Sequence, residues 1–199
     1  MTTNPFARLD LKPDQIMAEI THFNQKLAEG IKNLREMRDI PSGVTPREAI
    51  HHEDKLTLYR YSHPEPRAQK ARTPVLIVYA LVNRPYMTDL QENKSLIRGL
   101  LDQGLDVYLI DWGYPDRADR FLTMDDYING YIDRCVDVIR ARTESERLNI
   151  LGICQGGAFS LCYTALHKNK VKNLITMVTP VDFKTPDNML SKWVQNIDV

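Results

Sequence analysis

The chain has 199 residues, with 26 Lys or Arg against 26 Asp or Glu, 43% hydrophobic and 8% aromatic residues. This is the composition of a folded domain with material for a core, which excludes a disordered or collagenous chain. Zero formal net charge and a pI near 7 remove the basic excess that general phosphate binding requires, so no nucleic-acid function is expected.

The start, MTTNPFARLD, has no apolar signal core. From Pro13 to about Arg38, the residues Ile16, Ile20, Phe23, Leu27, Ile31, Leu34 and Met37 recur at steps of three and four, which predicts an amphipathic helix. PSGVTP at 41–46 breaks that pattern, and the chain divides into an N-terminal helical segment, 1–40, and a second region, 41–199. Lys55 to Tyr61 alternates like a half-exposed strand. Val75 to Val82, Leu105 to Ile110, Leu148 to Ile153 and Val171 to Val178 are short Val/Ile/Leu-rich runs that suit strands buried on both faces. Helical patterns lie between them at Ser95–Asp102, Met124–Arg142 and Gln155–Lys168. Alternating strands and helices predict an α/β fold with a mainly parallel sheet flanked by helices. Ligands in such sheets bind beyond the carboxyl ends of the strands. The longest apolar stretch, Pro74 to Val82, is about half the ~20 residues of a membrane helix, so the chain reads as cytosolic with no transmembrane segment.

The sharpest chemical signal is LNILGICQGG at 148–157. A predicted strand runs through Gly152-x-Cys154-x-Gly156 straight into a helix, the form of a nucleophile elbow. The nucleophile of such a turn is held in a strained conformation, and side chains two residues either side would collide with backbone, so Gly152 and Gly156 are the elbow glycines. The helix start favours a thiolate and a developing oxyanion. Cys154 is the expected nucleophile. Elbow enzymes take one oxyanion N–H from the following residue, here Gln155, and another from the loop after an earlier strand, here Val82 or Asn83. Asp111-Trp112-Gly113-Tyr114-Pro115 more plausibly shapes the site than reacts. Cys135 and Cys162 fall inside helical patterns and read as small core residues. No Cys/His spacing resembles a metal site, and none is expected. A thiol needs a base, yet His22, His51, His52 and His63 precede the sheet, and His167 lies about 20 Å along the helix that starts after Cys154. None of the five fits.

GICQGG (152–157), TPVLIVYALVNRPYMTDL (73–90), GLDVYLIDWG (104–113), LTMDDYINGYI (122–132) and VKNLITMVTPVDF (171–183) together resemble the catalytic subunits of class III polyhydroxyalkanoate synthases. These are cysteine-dependent relatives of the α/β-hydrolases, and class IV synthases are similar too. The resemblance extends over essentially the whole chain, weakest in the first 40 residues. It implies an α/β-hydrolase-like sheet, incomplete at the C-terminus because family members continue through further strands that bear the catalytic Asp and His. It implies acyl transfer from 3-hydroxyacyl-CoA to a growing polyester through an acyl-Cys154, with no cofactor. A PhaE-type accessory subunit and association with polyester granules in the cytoplasm are implied as well. Two other readings stand beside it: a cysteine thioesterase or esterase, and a non-catalytic interaction fragment.

Overall fold

A computed structural model describes residues 13–36, 42–65, 73–182 and 189. These residues fall into two units, one within 1–41 and one within 42–199. The first contains helix α1, Pro13–Glu36, with Pro13 at a position where its missing N–H costs nothing. The expected helix to Arg38 runs past the described residues.

The second unit is built on a six-stranded sheet: β1 (Arg47–Glu53), β2 (Leu56–Tyr61), β3 (Val75–Val78), β6 (Val107–Asp111), β7 (Leu148–Ile153) and β8 (Val171–Met177). Its order is β1-β2-β6-β3-β7-β8. β6, β3, β7 and β8 run parallel, while β2 meets β6 antiparallel and β1 closes a hairpin on β2. A small second ladder pairs β4 (Asp89–Gln91) with β5 (Lys94–Ser95). Helices α2 (Leu96–Asp102), α3 (Asp133–Thr143) and α4 (Gln155–Leu166) connect the strands.

Alternation along β3 explains the two layers. Leu76 and Val78 face a core shared with Ile128, Ile132, Val136, Ile139, Phe159 and Tyr163, whereas Val75 and Ile77 face Ile97 and Leu101 of α2. Each β3 side chain therefore has a helix to pack on.

Several expectations are corrected. The apolar run to Val82 continues the strand only to Val78, because residues 79–83 leave the sheet to form a turn. β1 was not anticipated: REAIHHE carries no apolar run and is held by pairing with β2. The single helix expected over 124–142 is a seven-residue π-helix, Asp126–Ile132, followed by α3. β8 is not buried on both faces, since Ile175 and Met177 are 50% and 40% exposed.

Candidate active site

β7 lies between β3 and β8, with Gly152 opposite Val78 on one side and Thr176 on the other. The strand ends at Ile153 and α4 begins at Gln155, leaving Cys154 alone in the turn with φ 55° and ψ −125°. A non-glycine residue in that region costs roughly 1–3 kcal/mol and persists only where its surroundings over-determine it. Here they do. The Cys154 N–H donates to the Met177 carbonyl at 2.9 Å, and the Gly157 N–H donates to the Cys154 carbonyl at 3.0 Å. A Cβ on Gly152 would sit 2.6 Å from the Gly157 Cα and 2.7 Å from the Ser160 Oγ, and one on Gly156 would penetrate the Val78 carbonyl. The buried Ser160 hydroxyl donates to the Gly156 carbonyl at 2.7 Å and fixes the first turn of α4. Gly157 is equally crowded, because its Cβ would overlap the Thr179 side chain.

Cys154 is partly exposed and lies against the sheet face that carries α2. Among the described residues, no side chain hydrogen-bonds its sulfur. Cys135 is fully buried, and burial pushes its thiol up to about 12. Cys162 corrects the expectation made from its helical position: it is exposed.

The loop after β3 reaches the elbow through Leu81, whose N–H donates to the Gln155 Oε1 at 3.2 Å. Gln155 therefore has two parts to offer, a backbone N–H at the helix start and a side chain that ties this loop to it. Val82 is 80% exposed and Asn83 is exposed, so the two candidate oxyanion donors sit in the outer turn of the loop, just beyond its anchored residue. The Trp112 Nε1–H donates to the Tyr79 carbonyl at 2.9 Å, and the Arg84 guanidinium donates to the Gly113 carbonyl at 2.8 Å while stacking on Tyr114. Gly113 has φ 70°, and a Cβ there would strike the Lys55 carbonyl, which is why a glycine ends the Asp111-Trp112 segment. The DWGYP residues thus brace the β3 loop. The role of Trp112 and the Gln155 side chain was not legible in the sequence, because each contact joins residues far apart in the chain.

His22 belongs to α1 of the first unit, and the other four histidines sit on other elements of the second. His51 and His52 are on β1, His63 pairs with Asp102 at 2.9 Å, and His167 ends α4 with its Nε2 2.7 Å from the Asn129 Oδ1. No cluster of metal-ligating side chains occurs among the described residues, and none of their helices is long and apolar enough to cross a membrane.

Comparison with known proteins identifies the fold family. Residues 73–198 match the family described as the alpha/beta hydrolase fold. The chain is 61% identical over 191 residues to the poly(3-hydroxyalkanoate) polymerase subunit PhaC of Allochromatium vinosum, covering 96% of this chain and 54% of that protein. It is 51% identical over 192 residues to the subunit of the same name from Synechocystis sp., covering 94% of this chain and 49% of that one. The chain thus spans about half the length of the curated relatives it matches. Among solved structures, the Francisella virulence factor BioJ aligns with a TM-score of 0.53 at 16% identity, covering 93% of this chain and 60% of that one, a likeness of fold alone. The chain belongs to the alpha/beta hydrolase fold family.

Proposed function

We propose that this chain carries the acyl-accepting half of a polyester synthase site, with Cys154 as the nucleophile. Its sulfur attacks the thioester carbonyl of a 3-hydroxyacyl-CoA. The carbonyl electrons move to oxygen, where the Gln155 N–H and an N–H of Val82 or Asn83 receive the negative charge. Collapse of the intermediate breaks the bond to the CoA sulfur, which leaves as the thiol once it has taken a proton. Attack on the acyl-cysteine by the hydroxyl of a growing chain then lengthens the polyester by one unit and returns the sulfur. Thiol-for-thiol exchange is close to energetically even, and the substrate arrives already activated, so the reading requires no cofactor.

The observation that carries this reading is the strained turn at Cys154, with φ 55°, between two glycines whose Cβ positions are filled. Strain of that kind exposes a side chain at the carboxyl edge of a parallel sheet. The second half-reaction needs a base to take the hydroxyl proton. In the synthases that the chain resembles a catalytic Asp and His do this work, and among the described residues of the second unit no histidine hydrogen-bonds the Cys154 sulfur. A PhaE-type accessory subunit and a polyester granule surface in the cytoplasm complete the proposal. The apolar face of α1, with Ile20, Phe23, Leu27 and Ile31 at steps of three and four, supports a helical docking partner.

The test is intact-mass and peptide analysis after incubation with 3-hydroxybutyryl-CoA, with free CoA measured in parallel. A single acyl group on the Cys154 peptide, absent in Cys154→Ala, is expected. Release of free 3-hydroxybutyrate over many turnovers would favour a thioesterase, and absence of any adduct on folded protein would overturn the reading.

A further inference from the structure

One cavity in the second unit has no part in the chemistry above. It encloses ≈ 70 Å³ between the turn joining β1 to β2, the loops after β3 and β6, and the π-helix. A single water needs only about 10–15 Å³ on this scale, so there is room for several waters or for a short aliphatic chain. We propose that this cavity is a subsite for a short, uncharged alkyl group, and that the group it takes is the tail of a hydroxyacyl unit.

Four features of the cavity point the same way. Its walls are apolar, formed by Leu56, Leu81, Leu122, Trp112, Tyr127 and Tyr131. Three of its polar side chains are already partnered: the Tyr131 hydroxyl donates to the Asp54 carboxylate at 2.7 Å, the Trp112 Nε1–H is held by the Tyr79 carbonyl, and the Lys55 ammonium is paired with Asp116 at 2.8 Å and with Asp119. A ligand therefore gains chiefly apolar contact area there. The lining holds Asp54 and Asp119 against the single cation Lys55, which Asp116 also neutralises, so a free carboxylate is repelled where an ester, thioester or alcohol is not. The aromatic wall is also pre-organised, with Trp112 and Tyr127 edge to face at 5.5 Å and Tyr127 stacked on Phe159 of α4 at 5.9 Å.

The π-helix supplies the second line of argument. Tyr127 and Tyr131 both lie within its seven residues, Asp126–Ile132, where continuation of α3 in ordinary α-helical form would turn the two rings differently. Stretches of π-helix are rare, and those that occur are frequently at functional sites. The cavity also communicates with the elbow by direct contact. The Leu81 side chain lines it, and the Leu81 N–H is bonded to the side chain of Gln155, the residue after Cys154. A bound alkyl group presses on the segment that precedes the candidate oxyanion donors Val82 and Asn83.

Identifying the occupant as an acyl tail rests on the function proposed above, whereas the existence of an alkyl subsite does not. The experiment is a titration of the full chain, isotopically labelled, with ethyl 3-hydroxybutyrate, followed by methyl signals of Leu56, Leu81 and Leu122 and the indole N–H of Trp112. Saturable shifts with a Kd of roughly 0.1–10 mM are expected for so small a ligand. They should persist in Cys154→Ala, disappear in Leu122→Trp, which fills the space, and weaken at least tenfold with sodium butyrate as probe. Should Leu122→Trp fail to fold, intermolecular NOEs from the probe's methyl groups to Leu81, Leu122 and Tyr127 in the unaltered chain decide the matter. Absence of saturable shifts, NOEs to other residues only, or equal binding of butyrate would overturn the subsite. Acylation of Cys154 without such binding would remove the subsite and leave the proposed function standing; binding without acylation would do the reverse.

Discussion

A methyl group placed on Gly156 would meet the carbonyls of Val78 and Tyr79, backbone atoms of the segment beneath the elbow that cannot swing aside as a side chain can. Gly156→Ala is therefore expected to cost about 3 kcal/mol or more, read as a shift in the denaturant midpoint; a loss below about 1 kcal/mol would mean that the elbow is looser than this. Gly157 differs in kind, because what its Cβ would meet is the Thr179 side chain. Gly157→Ala alone should destabilise, while Gly157→Ala combined with Thr179→Gly should recover about 1 kcal/mol or more beyond additivity. Strict additivity in that cycle would show that the two do not touch. The three cysteines give a further check at this scale. Iodoacetamide at pH 8 should spare Cys135, whose buried thiol is pushed up to about 12, and should reach the exposed Cys162. Cys154 should be modified first, measured by peptide mapping at limiting reagent; labelling of Cys162 ahead of Cys154 would remove the case for an activated elbow.

At the scale of elements, one polar cluster joins three of them. Asp133 opens α3, accepts from the Tyr163 hydroxyl of α4 at 2.8 Å, and accepts from the Lys170 ammonium ahead of β8 at 2.7 Å. Burial opposes ionisation of Asp133, but the bonds from Lys170 and Tyr163 outweigh it, so the carboxyl sits below the usual range. A lowered folded value means that the cluster stabilises the fold above about pH 4 and that the stabilisation fades as pH falls through the folded value. Asp133→Asn should then cost about 1–2 kcal/mol at pH 7, and its denaturation midpoint should draw closer to that of the unaltered chain as pH falls below about 4. A gap that stays constant with pH would assign the effect to packing instead. Legibility in the sequence divides along the same lines. β3, β6 and β7 stand out because continuous Val/Ile/Leu runs are what double burial requires, and α4 follows from the elbow glycines. β1 does not stand out, since REAIHHE has no apolar run and is placed by its pairing with β2, with Ile50 reaching the core and Glu48 and Glu53 paired to α3 arginines. The π-helix is equally hidden, because the spacing of Tyr127, Ile128, Tyr131 and Ile132 serves α- and π-helices alike.

For the molecule as a whole, the sheet is asymmetric in a way that sets its solution behaviour. At one side the β1 hairpin ends in charged and histidine residues, with Glu53 paired to Arg134 and Glu48 to Arg142 at 3.0 Å, the kind of edge that discourages pairing with another strand. At the other side β8 follows β7 in register from Asn149 opposite Asn173 to Ile153 opposite Met177, and among the described residues no strand covers its outer edge. Ile175 and Met177 lie on one face of β8 at 50% and 40% exposure, and Val178 just beyond is 84% exposed with φ 49°, an uncommon setting for a β-branched residue. The elbow itself leans on this strand, through the Cys154 N–H and the Met177 carbonyl. An apolar edge that no described residue pairs is a template for a further strand, so the chain by itself should self-associate as concentration rises into the tens of micromolar, roughly the range in which exposed edges pair. Light scattering after gel filtration measures this directly. Ile175→Lys combined with Met177→Lys places like charges on that face and should return the monomer without changing the circular dichroism spectrum. Were the unaltered chain a monomer at every concentration, β8 would not be a pairing edge. Were the double variant to lose the acyl-Cys154 adduct while keeping its fold, β8 would be shown to hold the elbow in shape as well as to present an edge.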